Sequence, residues 1–260
     1  MVLDYFFQPK TILQKPLILG IMSFLYTIIG ATFGYFLFPH AVGFGMLLFV
    51  ILAFVPFMYH ILQEEEVYIE SHTQTRSIFL HTEKVLARII LLFIGITIGF
   101  IFIQLVLPSQ VGLALFEEQR QLTSHITGMM TAEEAFSHIL INNLIVLLLA
   151  FTLGFVYALG AITVIVWNAS ILGFVFASLL ASQSVLTTFL RFVFHTIPEI
   201  AGFALAGIAG TVLSFGIIRH HKKGDVLKHI LKSVVLLFLC AVILVILAAL
   251  IEVSLSPLFY

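Results

Sequence analysis

Seven apolar runs constrain this chain before anything else. They lie at about 17–38, 41–62, 85–107, 138–160, 162–181, 198–218 and 230–252. Each is near the ~20 residues needed to cross a hydrocarbon core about 30 Å thick. In lipid a backbone has no water to bond, so a spanning segment satisfies its own N–H and C=O groups as a helix or within a closed barrel. The expected fold is all-α, a polytopic transmembrane helix bundle of about seven spans. With 61% of residues hydrophobic and 10% charged, a soluble domain is excluded. The formal net charge of −1 speaks against nucleic acid as a partner. The lipid bilayer is the first partner, and a multi-pass place in the cell membrane the expected location.

Charge placement sets the expected topology. The punctuation between the fourth and fifth spans is thin, only Gly154, Gly160 and Ala161, and one long broken helix competes with two. Two spans place Lys10 and Lys15, then Arg76, Lys84 and Arg88, then Arg219, Lys222, Lys223, Lys228 and Lys232 on one side, ten of the twelve basic residues. The positive-inside rule makes that side cytoplasmic. Seven spans follow, with the N-terminus inside and the C-terminus outside. The opening MVLDYFFQPKTILQKPLILG does not read as a secretory signal, having an early acid and no small-residue cleavage site before a long apolar run. Cys240 is the single cysteine and lies in an apolar run, where packing is its expected role.

Between spans, Gln63–Lys84 is expected as a polar inner loop, with Glu64, Glu65 and Glu66 at a solvated helix end or in a partner-docking patch. Pro108–Ser137 is an outer segment whose VGLALFEEQRQL suits an interfacial amphipathic stretch. It ends in Thr131-Ala-Glu-Glu134, a capping box for the next helix. His72, His81, His125, His220 and His221 are expected to be solvated in polar loops.

Several spans carry small residues at four-residue spacing: Gly30/Gly34, Gly95/Gly99, Ala150/Gly154/Ala158, Ala169/Gly173/Ala177/Ala181 and Gly202/Ala206/Gly210/Ser214. Helices in lipid associate by close backbone approach, which such ladders permit. Gly173, Ala177, Gly202, Ala206 and Gly210 are the candidate helix-packing positions. They place spans five and six at the tight centre, sealing either the bundle or a second copy.

Five polar residues interrupt the apolar core: Asn142, Asn143, Asn168, His195 and Glu199. A charged group at a helix centre costs about 2.5–3.5 kcal/mol to insert, so such groups are expected to face a bundle interior or cavity. His138 and Asn142 share a helix face at i, i+4. Pro198 argues that span six begins only near there, and Thr196-Ile-Pro-Glu199 then fits a capping box. The alternatives for Glu199 are a hydrogen-bonded network with Asn142 or Asn143 and a ligand or metal site. His138, His195 and Glu199 are the metal candidates, since two imidazoles and a carboxylate leave Zn²⁺ an open position. There is no HExxH motif, no catalytic residue is assigned, and no cofactor is called for. Asn168 enters from the inner side and is expected as a helix–helix hydrogen-bond partner or part of a separate locus.

INNLIVLLLAFTLGFVYALGAITVIVWNASILGFV followed by HTIPEIAGFALAGIAG resembles the stage II sporulation protein M family of integral membrane proteins. The likeness covers about 85–252 and is most specific over 138–216. Thr196 stands where the family usually has Gly after the histidine, and Ala169 where Gly often follows the Asn. The resemblance implies residues 1–84 as a two-span N-terminal extension with a cytoplasmic loop, and 85–260 as a five-span core. It also implies a non-enzymatic membrane component. In spore-forming bacteria the family member is a scaffold that holds two cell-wall hydrolases, and the family extends to organisms that never sporulate. Three functional readings follow. They are a scaffold or complex subunit acting with other membrane proteins or by self-association, a transporter component with a polar intramembrane site, and an intramembrane metal-dependent enzyme.

Overall fold

The computed structural model describes Leu13 and residues 15–72, 75–124, 132–156, 159–180, 183–220 and 224–255. Among these residues the chain is helical throughout and contains no strand. The helices are α1 (Pro16–Leu37), α2 (Val42–Ser71), α3 (Thr75–Val106), α4 (Ser109–Leu115), α5 (Glu117–Ser124), α6 (Ala132–Val156), α7 (Leu159–Leu179), α8 (Val185–His220) and α9 (Gly224–Leu255). All except α4 and α5 are long and apolar enough to cross a membrane, seven in total among the described residues. Lys10, His125, Thr131, Ala158, Ala181, His221, Lys222 and Lys223 lie outside the described residues, and with Thr131 the expected cap of α6.

The fourth and fifth spans are two helices. A methyl group added to Gly160 would fall on Cβ and the backbone of Leu153. Seven positions along one continuous helix are about 10 Å apart by rise alone, so the chain doubles back between α6 and α7.

By contact the chain divides into two compact units, one of Met1–Phe54, Leu91–Thr131 and Val166–Phe192, the other of Val55–Ile90, Ala132–Ile165 and Val193–Tyr260. In the first, α1 buries a narrow stripe of Leu19, Ser23, Thr27, Gly30, Ala31 and Gly34. The hydroxyls on that stripe are satisfied within the helix, Ser23 donating to the Leu19 carbonyl and Thr27 to that of Ser23, each at 2.8 Å. Gly34 lies against the backbone of Gly45 and Met46 on α2, and a methyl group on Gly99 of α3 would sit 2.8 Å from Thr27 Cβ. Gly173 of α7 packs on Phe100 of α3, where an added methyl would stand 2.7 Å from Phe100 Cβ.

The segment expected to lie flat in the interface is instead tucked in. Leu115, Phe116 and Gln119 are buried, with the Phe116 ring 5.9 Å from that of Phe100 and 5.8 Å from that of Phe174. Gln119 Nε2 donates to Ser170 Oγ at 2.9 Å. The amphipathic pattern was real, but its apolar face meets protein in place of lipid. Glu117 and Arg120 stay outside as an i, i+3 pair at 2.8 Å. Hydrogen bonds from Gln121 and from Arg120 hold the exposed Glu117 carboxyl below the usual range.

In the second unit α8 is the axis. Every residue from Ile200 to Val212 is buried, although a lipid-facing helix would keep one side open. The small residues explain how. Gly202 rests on Val245 and Ala241 of α9, Gly207 on Ala161 of α7, and Gly210 on the Phe151 carbonyl of α6. Thr211 Oγ1 donates to the carbonyls of Gly207 (2.9 Å) and Gly154 (3.0 Å). Ala206 is fully buried among them. The α6 face turned to α9 adds an edge-to-face contact of Phe151 with Phe238 at 5.1 Å.

The start of α8 differs from the sequence expectation. The helix begins at Val185, with Ser184 Oγ accepting from the Thr187 N–H at 3.1 Å, an N-cap that satisfies an orphan donor. Pro198 is internal. A proline inside a helix removes one backbone bond, a defect that neighbouring helices make tolerable in membrane segments. Thr196–Glu199 is therefore mid-helix and caps nothing.

Candidate functional site

Four helices that contribute to the second unit are longer than a bilayer core requires. At 36 residues α8 is roughly 54 Å long and α9, at 32, roughly 48 Å at 1.5 Å per residue, well beyond a core of about 30 Å. The excess, with the C-terminal turns of α2 and the first turns of α3, forms a polar collar where a loop was expected over Gln63–Lys84. Apart from residues 73 and 74, which are not described, that stretch is α2 continuing through Ser71, His72, and α3 from Thr75.

Three consecutive glutamates on a helix point about 100° apart, and here each meets a different partner. Glu64 Oε2 accepts from Arg88 Nη1 at 2.6 Å near the surface. Glu65, fully buried, accepts from the Thr82 hydroxyl and pairs with His81 Nδ1 at 2.6 Å. Glu66, 1% exposed, pairs through Oε2 with Arg219 Nη1 at 2.5 Å. Tyr68 lies between two imidazoles, its ring stacked 3.9 Å from both His72 and His81. His229 of α9 places Nε2 within 3.1 Å of the Ile69 carbonyl and 2.9 Å of the His72 carbonyl, bonding the open C-terminal end of α2. His220 is 6% exposed, with Nε2 at 3.2 Å from Glu70 Oε1. The solvated-end reading of Glu65, Glu66, His81 and His220 is thus corrected. Carboxylates taken out of water need cations and donors, and the long helices carry those to them.

The five intramembrane polar residues and His138 are placed unequally. Asn143 and His195 are buried, Asn168 and Glu199 half-buried, and Asn142 and His138 exposed. Asn142 Nδ2 donates to Asn143 Oδ1 at 3.3 Å. Because α8 starts early, His195 and Glu199 are one turn apart on a continuous helix. The ionisable neighbour of Glu199 is another acid, Glu252 of α9. His138, His195 and Glu199 do not come together as a metal-sized group. Among the described residues, the group of three with ligand atoms that close is Glu66, Glu70 and His220. Its sequence signal was the pair of glutamates at i, i+4 ending a span. The histidine 150 positions later carried no such signal.

Seven helices among the described residues long and apolar enough to cross a membrane define a multi-pass integral membrane protein. Residues 88–257 match the model of the family described as stage II sporulation protein M, and the chain belongs to that family. No curated protein and no solved structure matches it. Glu64, Glu65, Glu66 and Glu70 lie outside the matched segment, and Arg219, His220 and His229 within it.

Proposed function

We propose that the protein is a scaffold or complex subunit of the cell membrane, N-terminus inside and C-terminus outside, working through a partner helix that docks on α6. The observation that carries this is Asn142. It is exposed on α6, the least buried of the seven long helices, among the exposed Ile141, Ile145, Leu148 and Leu149. It stands about 15 Å from the start of a helix of 25 residues, near mid-membrane. An amide facing hydrocarbon there is unfavourable, and a partner's polar group relieves it. The interlocked packing of α8 supports a structural part over a transport path, because Gly210 and Phe151 leave no space between them for a solute.

Asn142→Leu is expected to weaken recovery of the partner, or of a second copy, from gently solubilised membranes by about 3- to 30-fold. That range corresponds to a hydrogen bond of roughly 0.6–2 kcal/mol. Cross-linking from a cysteine at Ile145 reads the same contact. Unchanged recovery together with a monomer in both forms would remove the proposal.

The orientation has its own test. A cysteine introduced at Lys228 is expected to react with an impermeant maleimide only after the cells are opened, and labelling of intact cells would reverse the topology.

A further inference from the structure

We infer that Glu66, Glu70 and His220 form a binding site for a divalent first-row transition-metal ion, separate from the proposed docking face on α6. Glu66 and Glu70 are one turn apart on α2, so both carboxylates project from one face. His220 is the last residue of α8. One ligand atom from each lies within 4.8 Å of the others.

Two further observations point to a ligand. Glu66 uses Oε2 for Arg219, while Oε1 is buried with no hydrogen bond. His220 is buried, and neither ring nitrogen makes a hydrogen bond although Nε2 is 3.2 Å from Glu70 Oε1. Buried polar atoms are ordinarily bonded. A metal ion satisfies both at once, accepting a lone pair from the imidazole and one from the free carboxylate oxygen.

The chemistry of the donors selects the ion. Two carboxylates and one guanidinium leave a local charge of −1 with His220 neutral, which attracts a dication. An imidazole in the set favours Zn²⁺ and its first-row neighbours over Mg²⁺ and Ca²⁺, which take oxygen ligands. Ligands about 2 Å from Zn²⁺ in a tetrahedral site are about 3.3 Å apart, so the widest pair closes by a side-chain movement. Glu70, with 36% of its side chain exposed, has room for it and leaves the fourth position open to water. Arg219 fixes the orientation of Glu66 as an outer partner. The ion joins the end of α2 to the end of α8.

The test uses the full chain without a polyhistidine tag, in detergent, stripped with chelator and titrated with Zn²⁺ by calorimetry. The expected result is one saturable equivalent, with affinity at least 10-fold weaker in both Glu70→Gln and His220→Gln. Zn²⁺ should raise the melting temperature of the parent chain and leave those of the variants in place. Co²⁺ should give visible d–d absorption in the parent, a readout that stands even if a variant fails to fold. The inference is overturned if the parent takes up no saturable Zn²⁺ and gives no Co²⁺ band. It is equally overturned if folded Glu70→Gln and His220→Gln both keep the full affinity, which would place the ion on other histidines.

Discussion

Gly210→Leu should unfold the centre of the second unit. The first carbon of the new side chain falls on the Phe151 carbonyl, close to the backbone of Phe155. Overpacking an ordinary core costs about 1–3 kcal/mol, because side chains move aside. Here the obstacle is the main chain of α6, so a loss of at least about 3 kcal/mol is expected. Thermal denaturation in micelles measures it. Gly224→Ala is the control: nothing lies within 4 Å of the added carbon, and the change should stay within about 0.5 kcal/mol. Equal melting temperatures for the two variants would mean that α6 and α8 are not in backbone contact.

Arg219→Ala should be the most damaging change in the collar. It leaves Glu66, whose side chain is fully buried, without its cation. Removing one partner of a buried pair costs about 3–5 kcal/mol. Since 38% of the Arg219 side chain is exposed, the expected loss lies at the lower end, about 3 kcal/mol. Adding Glu66→Gln removes the stranded charge and should restore most of the stability. That non-additivity distinguishes a true pair from two independent contributions. Arg120→Ala, which breaks the exposed pair with Glu117, should leave the melting temperature unchanged. If Arg219→Ala behaves like Arg120→Ala, the collar pairing is not a structural element.

The seven spans were legible because lipid is a severe solvent: a run of apolar residues long enough to cross it has almost no other use. The separateness of α6 and α7 also followed, through the basic residues that a fused helix would have put on the wrong side. What failed was any rule learned from water. Pro198 reads as a helix start in a soluble protein, yet α8 begins thirteen residues earlier at Val185, where Ser184 supplies the cap. The three glutamates read as a solvated end because their partners are 24, 16 and 153 positions away. No local pattern announces Arg219 as the counter-charge of Glu66. For Phe116 the periodicity was visible, but a sequence does not distinguish an apolar face that meets lipid from one that meets Phe100 and Phe174. Asn142 was expected to turn inward with Asn143. Adjacent residues on a helix diverge by about 100°, and only Asn143 is buried.

The enclosure of α8 has a mechanical meaning. Many membrane proteins work by letting one helix slide or turn against its neighbours, which requires a face smooth enough to shear. From Gly202 to Gly210 this helix is engaged by α6, α7 and α9 together, with main chain against main chain at Gly210. A shift by one turn would drive Ala206 into the slot of Gly202 or Gly210, and Phe203 or Thr211 into that of Gly207, slots cut for hydrogen atoms. The helix is a keyed shaft, not a piston, and whatever moves in this protein moves somewhere else.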